Sequence, residues 1–189
     1  MRIVIFASGN GSNAENIINY FSDNQNVTVS AVFSNKNDAM VLARANRLKI
    51  PTIAFNKKAL EDSDCILGIL KSINPDLIVL AGFLWKFPAH IIKVFPDKII
   101  NIHPALLPKY GGKGMYGMHV HNAIVKNKEQ ETGITIHYVN EHYDEGAIIF
   151  QKTVNIDPSD SPDDVARKVH SLEYTYFPQI IEKILHGEV

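Results

Sequence analysis

The chain has 189 residues, enough for one domain or two closely joined lobes, and at that size roughly 70 % of its unfolded surface can be buried. A formal net charge of −1, with 46 % hydrophobic and 21 % charged residues, gives no electrostatic basis for a nucleic acid or an anionic membrane as partner. The single cysteine, Cys65, excludes an internal disulfide and fits a reducing, cytoplasmic setting, and no apolar run approaches the ~20 residues of a membrane helix.

The first element is an unbroken apolar run over 2–7, the pattern of a strand covered on both faces. It leads into a glycine turn and is too short for a signal peptide. A helix follows over 14–21, with Ile17, Ile18 and Phe21 on one face. Then come a strand over 27–33, a helix over 38–48, a short strand over 51–55 and a helix over 59–73, which Asn74-Pro75 ends. A strand over 76–81, a helix over 88–95 and a strand over 99–103 complete the alternation. Strand and helix in alternation imply an α/β fold, an open, mostly parallel Rossmann-like twisted sheet with helices on both faces.

Beyond Pro108 the pattern changes. Residues 109–117 hold too many glycines for regular structure and read as a tightly turning or mobile loop. A helix is expected over 118–128, and strands over 132–139 and 147–154 that pair antiparallel across a polar loop. A helix-start region over 158–162 opens a long closing helix over 163–185. The whole is read as one domain, 1–189, with a mononucleotide-binding half, 1–100, and a catalytic half, 101–189.

Open α/β sheets bind ligands at the carboxyl ends of their strands. The unusual polar clusters from the start of the chain to Pro108 all lie there: 8–13, 82–87 and 101–108. In the last of these, Asn101 and His103 sit two apart on a strand rich in β-branched residues, so both point to one face until Pro104 ends the ladder. A donor amide beside an imidazole can polarise a carbonyl and move a proton. A carboxylate next to that imidazole would orient it and raise its imidazolium population; Asp144 is the candidate, with Glu141 and Glu145 as alternatives in the same loop. No serine or cysteine stands in a nucleophile elbow, which favours direct transfer over an acyl-enzyme.

The loop Gly9-Asn10-Gly11-Ser12-Asn13-Ala14 fits G-x-G-x-x-A between a strand and a helix, where backbone N–H groups can meet a phosphate. The second strand ends in Phe33-Ser34-Asn35-Lys36 without the carboxylate that a dinucleotide's ribose needs, so a single phosphate is favoured over NAD. After the fourth strand, Phe83 reads as core, whereas Trp85 and Phe87 can wall a flat heterocycle. His119 and His121, two apart on a helix, point away from each other; no zinc-type spacing appears, and no metal is expected.

Together these residues resemble the phosphoribosylglycinamide formyltransferases, folate-dependent enzymes of purine synthesis, from Met1 to about Ile184. The resemblance is carried by Ser8-Gly9-Asn10-Gly11-Ser12-Asn13, Val32-Phe33-Ser34-Asn35, Leu80-Ala81-Gly82-Phe83, Asn101-Ile102-His103-Pro104 with Leu106-Leu107-Pro108, and Asp144 with Gly146. It implies transfer of a formyl group from 10-formyltetrahydrofolate to the primary amine of glycinamide ribonucleotide, a one-carbon transfer of the EC 2.1.2 type. Asn101, His103 and Asp144 become the catalytic trio. Gly11, Ser12 and Asn13 take the substrate phosphate, and Glu173, with His170 on the same helix face, takes the substrate's ribose region. The folate lies along Leu84, Trp85, Lys86 and Phe87 and near Asn101 and Asp144. The implied partners are small molecules only, with the protein a monomer or a homodimer.

The alternatives are a 10-formyltetrahydrofolate hydrolase, another formyltransferase, and a non-catalytic nucleotide-binding module. Two departures from the commoner pattern stand out: Leu84-Trp85-Lys86 where many members carry Met-Arg-Ile, and a longer glycine loop over 111–117.

Overall fold

The computed structural model describes residues 1–62 and 65–189 of the chain. Two compact units are present, Met1–Ile100 and Asn101–Val189. The chain order is β1 (Arg2–Phe6), α1 (Ser12–Tyr20), β2 (Thr28–Ser34), α2 (Met40–Arg47), β3 (Thr52–Ala54), α3 (Lys57–Glu61), α4 (Ile66–Ile73), β4 (Leu77–Leu80), α5 (Ala89–Val94), β5 (Ile99–His103), α6 (Met118–Lys126), β6 (Glu131–Tyr138), β7 (Ile148–Asn155) and α7 (Pro162–His186). The strands run β3-β2-β1-β4-β5-β6-β7 in one sheet. β1 pairs parallel with β2 and β4, β2 pairs parallel with β3, and β7 runs antiparallel to β6. This is the α/β, mostly parallel, Rossmann-like sheet with a long closing helix that the alternation of elements predicts.

In the first unit the core is built on β1. Ile3, Val4, Ile5 and Phe6 have no exposed surface, as the continuous apolar run requires of a strand covered on both faces. Phe6 stacks on Phe33 with ring centroids 4.7 Å apart, and Phe55, Phe83 and Phe87 meet it edge-on. Strand order reverses at β1, so the loops after β1 and β4 leave adjacent strands at their carboxyl ends.

The helix expected over 59–73 is two helices. Asn56 caps α3, accepting from the Ala59 N–H, and the backbone turns extended at Asp62. Ser63 and Asp64 lie outside the described residues. α4 ends at Asn74, whose left-handed backbone (φ 49°) precedes Pro75.

In the second unit β6 is buried on both faces. Ile134 and Ile136 fill one, and Thr135 and His137 lie on the other. α7 opens with a capping box between Ser161 and Asp164 and runs on through Pro178 for 25 residues. Its buried stripe includes Val165, Val169, Phe177 and Ile181.

Candidate functional site

In the first unit the loop after β1 is fixed by its neighbours. The Ser8 N–H donates to the Gly82 carbonyl and the Val41 N–H to the Gly9 carbonyl. Gly11 caps α1 with φ 78°, a left-handed conformation that costs glycine nothing. A Cβ built there would lie 2.4 Å from the Cβ of Val41. Close packing against α2, and not only ligand approach, therefore demands this glycine. Ser12 and Asn13 form the first turn of α1, where the helix presents N–H groups and a partial positive charge.

The loop after β4 is tied to the same turn, because the Leu84 N–H donates to Ser8 Oγ at 2.9 Å. Leu84 and Lys86 are exposed and Trp85 is half-buried, its ring edge against Phe55 and Phe83. Phe83 is core, as expected. Phe87 differs from expectation. Only 3 % of it is exposed and its ring meets Phe6 and Phe83, so its side chain belongs to the aromatic core and cannot wall an open heterocycle pocket.

In the second unit β5 delivers Asn101 and His103, and the turn after β6 delivers Asp144. A carbonyl only accepts, so His103 Nε2 carries a proton and donates to the Tyr110 carbonyl at 2.7 Å. His103 Nδ1 faces Asp144 Oδ2 at 3.5 Å. The Gly112 N–H donates to the same carboxylate oxygen at 2.8 Å. Glu141 and Glu145, the alternative carboxylates, are exposed.

His137 stands among these groups. Its Nδ1 donates to the Tyr138 carbonyl at 2.8 Å, which leaves the Nε2 of the neutral ring to accept from Asn101 Nδ2 at 3.1 Å. The same Nε2 is 3.7 Å from Asp144 Oδ1. His137 escaped sequence reasoning, although its signal was present. Thr135 and His137 are two polar residues two apart on a strand buried on both faces, the same pattern as Asn101 and His103. Thr135 is likewise used. Its hydroxyl donates to the Ala105 carbonyl and accepts from the Leu107 N–H and from Gln151 Nε2, which pins the backbone just after His103.

Burial pushes His103 below the ordinary histidine value, and the attraction of Asp144 only partly opposes it. The imidazole is therefore neutral near pH 7. Burial thus works against the imidazolium expected from sequence, while the Asp144 carboxylate and the Tyr110 carbonyl work for it. Burial also acts against ionised Asp144, but His137 and His103 in their protonated forms and the Gly112 N–H outweigh it and hold the carboxyl below its usual range.

Two non-glycine residues here have left-handed backbones, Tyr110 (φ 58°) and Asp144 (φ 56°). Each such residue costs on the order of 1–3 kcal/mol, which contacts in its surroundings must offset. Tyr110 is held at both ends, by its carbonyl on His103 and by its hydroxyl, which donates to Glu129 and accepts from Asn127. Gly146 explains its place in the motif with Asp144, since a Cβ there would fall 1.7 Å from the Tyr138 carbonyl oxygen that His137 uses.

On α7, Glu173 is buried and His170 is exposed, stacked on Tyr174. His119 is exposed against Tyr116, and His121 is buried with its ring centroid 6.4 Å from that of His170. Burial first, then the neighbouring His170 and His103, push His121 down to about 4. Among the described residues no three His, Cys, Asp or Glu side chains cluster so as to hold a metal ion, and no helix is long and apolar enough to cross a membrane.

Residues 1–181 match the family described as formyl transferase. The chain is 36 % identical to phosphoribosylglycinamide formyltransferase of Escherichia coli (strain K12) over 100 % of its own length and 89 % of the relative's. It is also 36 % identical to the chloroplastic phosphoribosylglycinamide formyltransferase of Arabidopsis thaliana, of which it spans 66 %. A solved structure of phosphoribosylglycinamide formyltransferase from Brucella melitensis superposes with a TM-score of 0.87 at 34 % identity, covering 100 % of this chain and 97 % of that one.

Proposed function

The chain belongs to the formyl transferase family, and from that premise we propose that it transfers a formyl group from 10-formyltetrahydrofolate to the primary amine of 5'-phosphoribosylglycinamide. The observation that supports this best is the cluster Asn101, His103, His137 and Asp144, which supplies one amide donor and one proton acceptor at the end of a buried strand.

The reaction follows from these groups. The substrate amine adds to the formyl carbon and the carbonyl oxygen gains negative charge. Asn101 Nδ2 has two N–H bonds; one serves His137, and the other meets the oxyanion. Neutral His103 takes the proton that the amine must lose, at Nδ1. The imidazolium so formed lies beside the carboxylate of Asp144, which stabilises it, and the proton passes on to the departing folate nitrogen. Asp144 thus acts on the charge that develops during reaction, and not on a charge present at rest.

In the same reading Gly11, Ser12 and Asn13 hold the substrate phosphate, and Glu173 and His170 the ribose region. The folate contacts the exposed Leu84 and Lys86, the rim of Trp85, and the backbone at Phe87. The first unit supplies phosphate recognition and the second the chemistry. The partners are small molecules. No metal takes part, so chelator-treated protein retains its activity; loss restored by zinc would remove that part.

The deciding experiment is an absorbance assay of folate deformylation with and without the amine substrate. Turnover that depends on the amine is expected. Turnover without it would make the protein a hydrolase, and folate binding without turnover would leave only a binding module.

A further inference from the structure

The reading above leaves Arg44 without a task. It stands on α2, with its side chain only 25 % exposed. Its Nη1 donates to Glu15 and its Nη2 donates to Asn10 Oδ1 at 2.8 Å. Its Nε is buried with no hydrogen-bond partner, so the side chain is not placed to satisfy its own donors. One turn on, Arg47 donates to the other carboxylate oxygen of Glu15.

Both partners matter to the loop after β1. Asn10 is the residue between its two glycines, and Glu15 lies in the first turn of α1. α2 therefore grips three successive loop residues: Gly9 through the Val41 N–H, Asn10 through Arg44, and Gly11 through contact with Val41. A carboxylate in that first turn would repel a phosphate dianion brought to the same helix end. With both guanidiniums on Glu15 the trio carries one net positive charge.

We propose that Arg44 is a positioning residue for phosphate recognition, fixing Asn10 and cancelling the charge of Glu15 so that the loop N–H groups meet a phosphate monoester. This rests on the assignment of the substrate phosphate to Gly11, Ser12 and Asn13. Arginine suits the task because its planar fork reaches two acceptors at once. Lysine brings the charge but only a point donor.

The test compares the phosphorylated amine substrate with the same glycinamide riboside lacking phosphate. In Arg44→Ala the KM for the phosphorylated substrate rises about tenfold, equivalent to ~1.4 kcal/mol. Its kcat, the KM for folate and the kinetics on the riboside stay as they were. Arg44→Lys, which keeps charge on Glu15 but not the hold on Asn10, raises that KM roughly threefold. Asn10→Ala leaves the ion pairs intact and also raises the KM for the phosphorylated substrate alone. If Arg44→Ala does not fold, the Lys and Asn10 variants carry the same test.

An equal loss on both substrates would reduce Arg44 to a structural residue and overturn the proposal. Ser12→Ala separates this from the underlying assignment. If Ser12→Ala selectively weakens the phosphorylated substrate and the Arg44 and Asn10 variants do not, the role of Arg44 fails and the phosphate assignment stands. If none of them distinguishes the two substrates, the phosphate assignment itself fails.

Discussion

The loop after β1 and the loop after β5 both leave buried strands at their carboxyl ends, but they are held by different means. Around Gly11 the restraints are mostly steric and backbone-borne: a left-handed glycine, the side chain of Val41 2.4 Å from where a Cβ would be, and backbone bonds to flanking elements, with Arg44 holding the exposed Asn10 side chain. Around His103 they are polar and buried: Tyr110, Asp144, Thr135 and His137 each give or take a hydrogen bond or a charge. A cradle that presents backbone N–H groups needs shape. A centre that moves a proton needs defined tautomers and shifted acidities. Loss of one side chain should therefore cost the second loop much more than the first.

The largest expected effect is catalytic. His103→Ala lowers kcat on the order of 10² to 10³, with near-ultraviolet circular dichroism unchanged. Near-normal turnover would break the comparison at once, since the buried network would then be structural only.

Next comes stability against pH, governed by His121. Its folded value is about 4 against an ordinary 6.5, so below pH 6.5 the unfolded chain binds a proton that the folded chain refuses. The stabilisation is whole above pH 6.5 and falls away as the pH drops toward 4, by about 3 kcal/mol in all. His103, also shifted down, adds in the same direction. Urea unfolding at pH 7 and pH 4.5 measures the loss, and His121→Asn should remove most of it. An unaltered pH dependence in that variant would assign the effect elsewhere.

Thr135→Val sharpens the comparison further. It leaves the Leu107 N–H without its acceptor in a buried setting, at about 1–3 kcal/mol in urea unfolding. It should also lower kcat, because the backbone that follows His103 is released. A stability loss with full kcat would show that Thr135 supports the unit and not the chemistry.

The smallest effect belongs to the first unit. Ser8→Ala removes the acceptor for the Leu84 N–H, at about 1 kcal/mol, and should weaken folate binding slightly with kcat unchanged. A loss as large as that of Thr135→Val would erase the distinction between the two loops.

Much of the fold was legible in the chain because its signals are local. Apolar runs, caps and breakers mark β1, β5 and α7 to within a residue or two. The helix expected over 59–73 was misread because its apolar period continues across the extended turn at Asp62. Within the site, Asn101 and His103 were visible as polar residues two apart on an apolar strand, and Asp144 as a carboxylate in a polar loop.

By itself the sequence determined the α/β alternation, the glycine turn and the pair of polar residues on β5, because each depends on neighbours within a few residues. Only the tertiary structure decided three further matters. It placed Phe87 in the aromatic core, where ring packing around Phe6 outweighs its position in a loop. It brought His137 between Asn101 and Asp144 through the fold of β6 and the turn after it. It also set the direction in which His103 is shifted, since how far water is excluded from a ring depends on everything packed around it, and here that exclusion outweighs the nearest carboxylate.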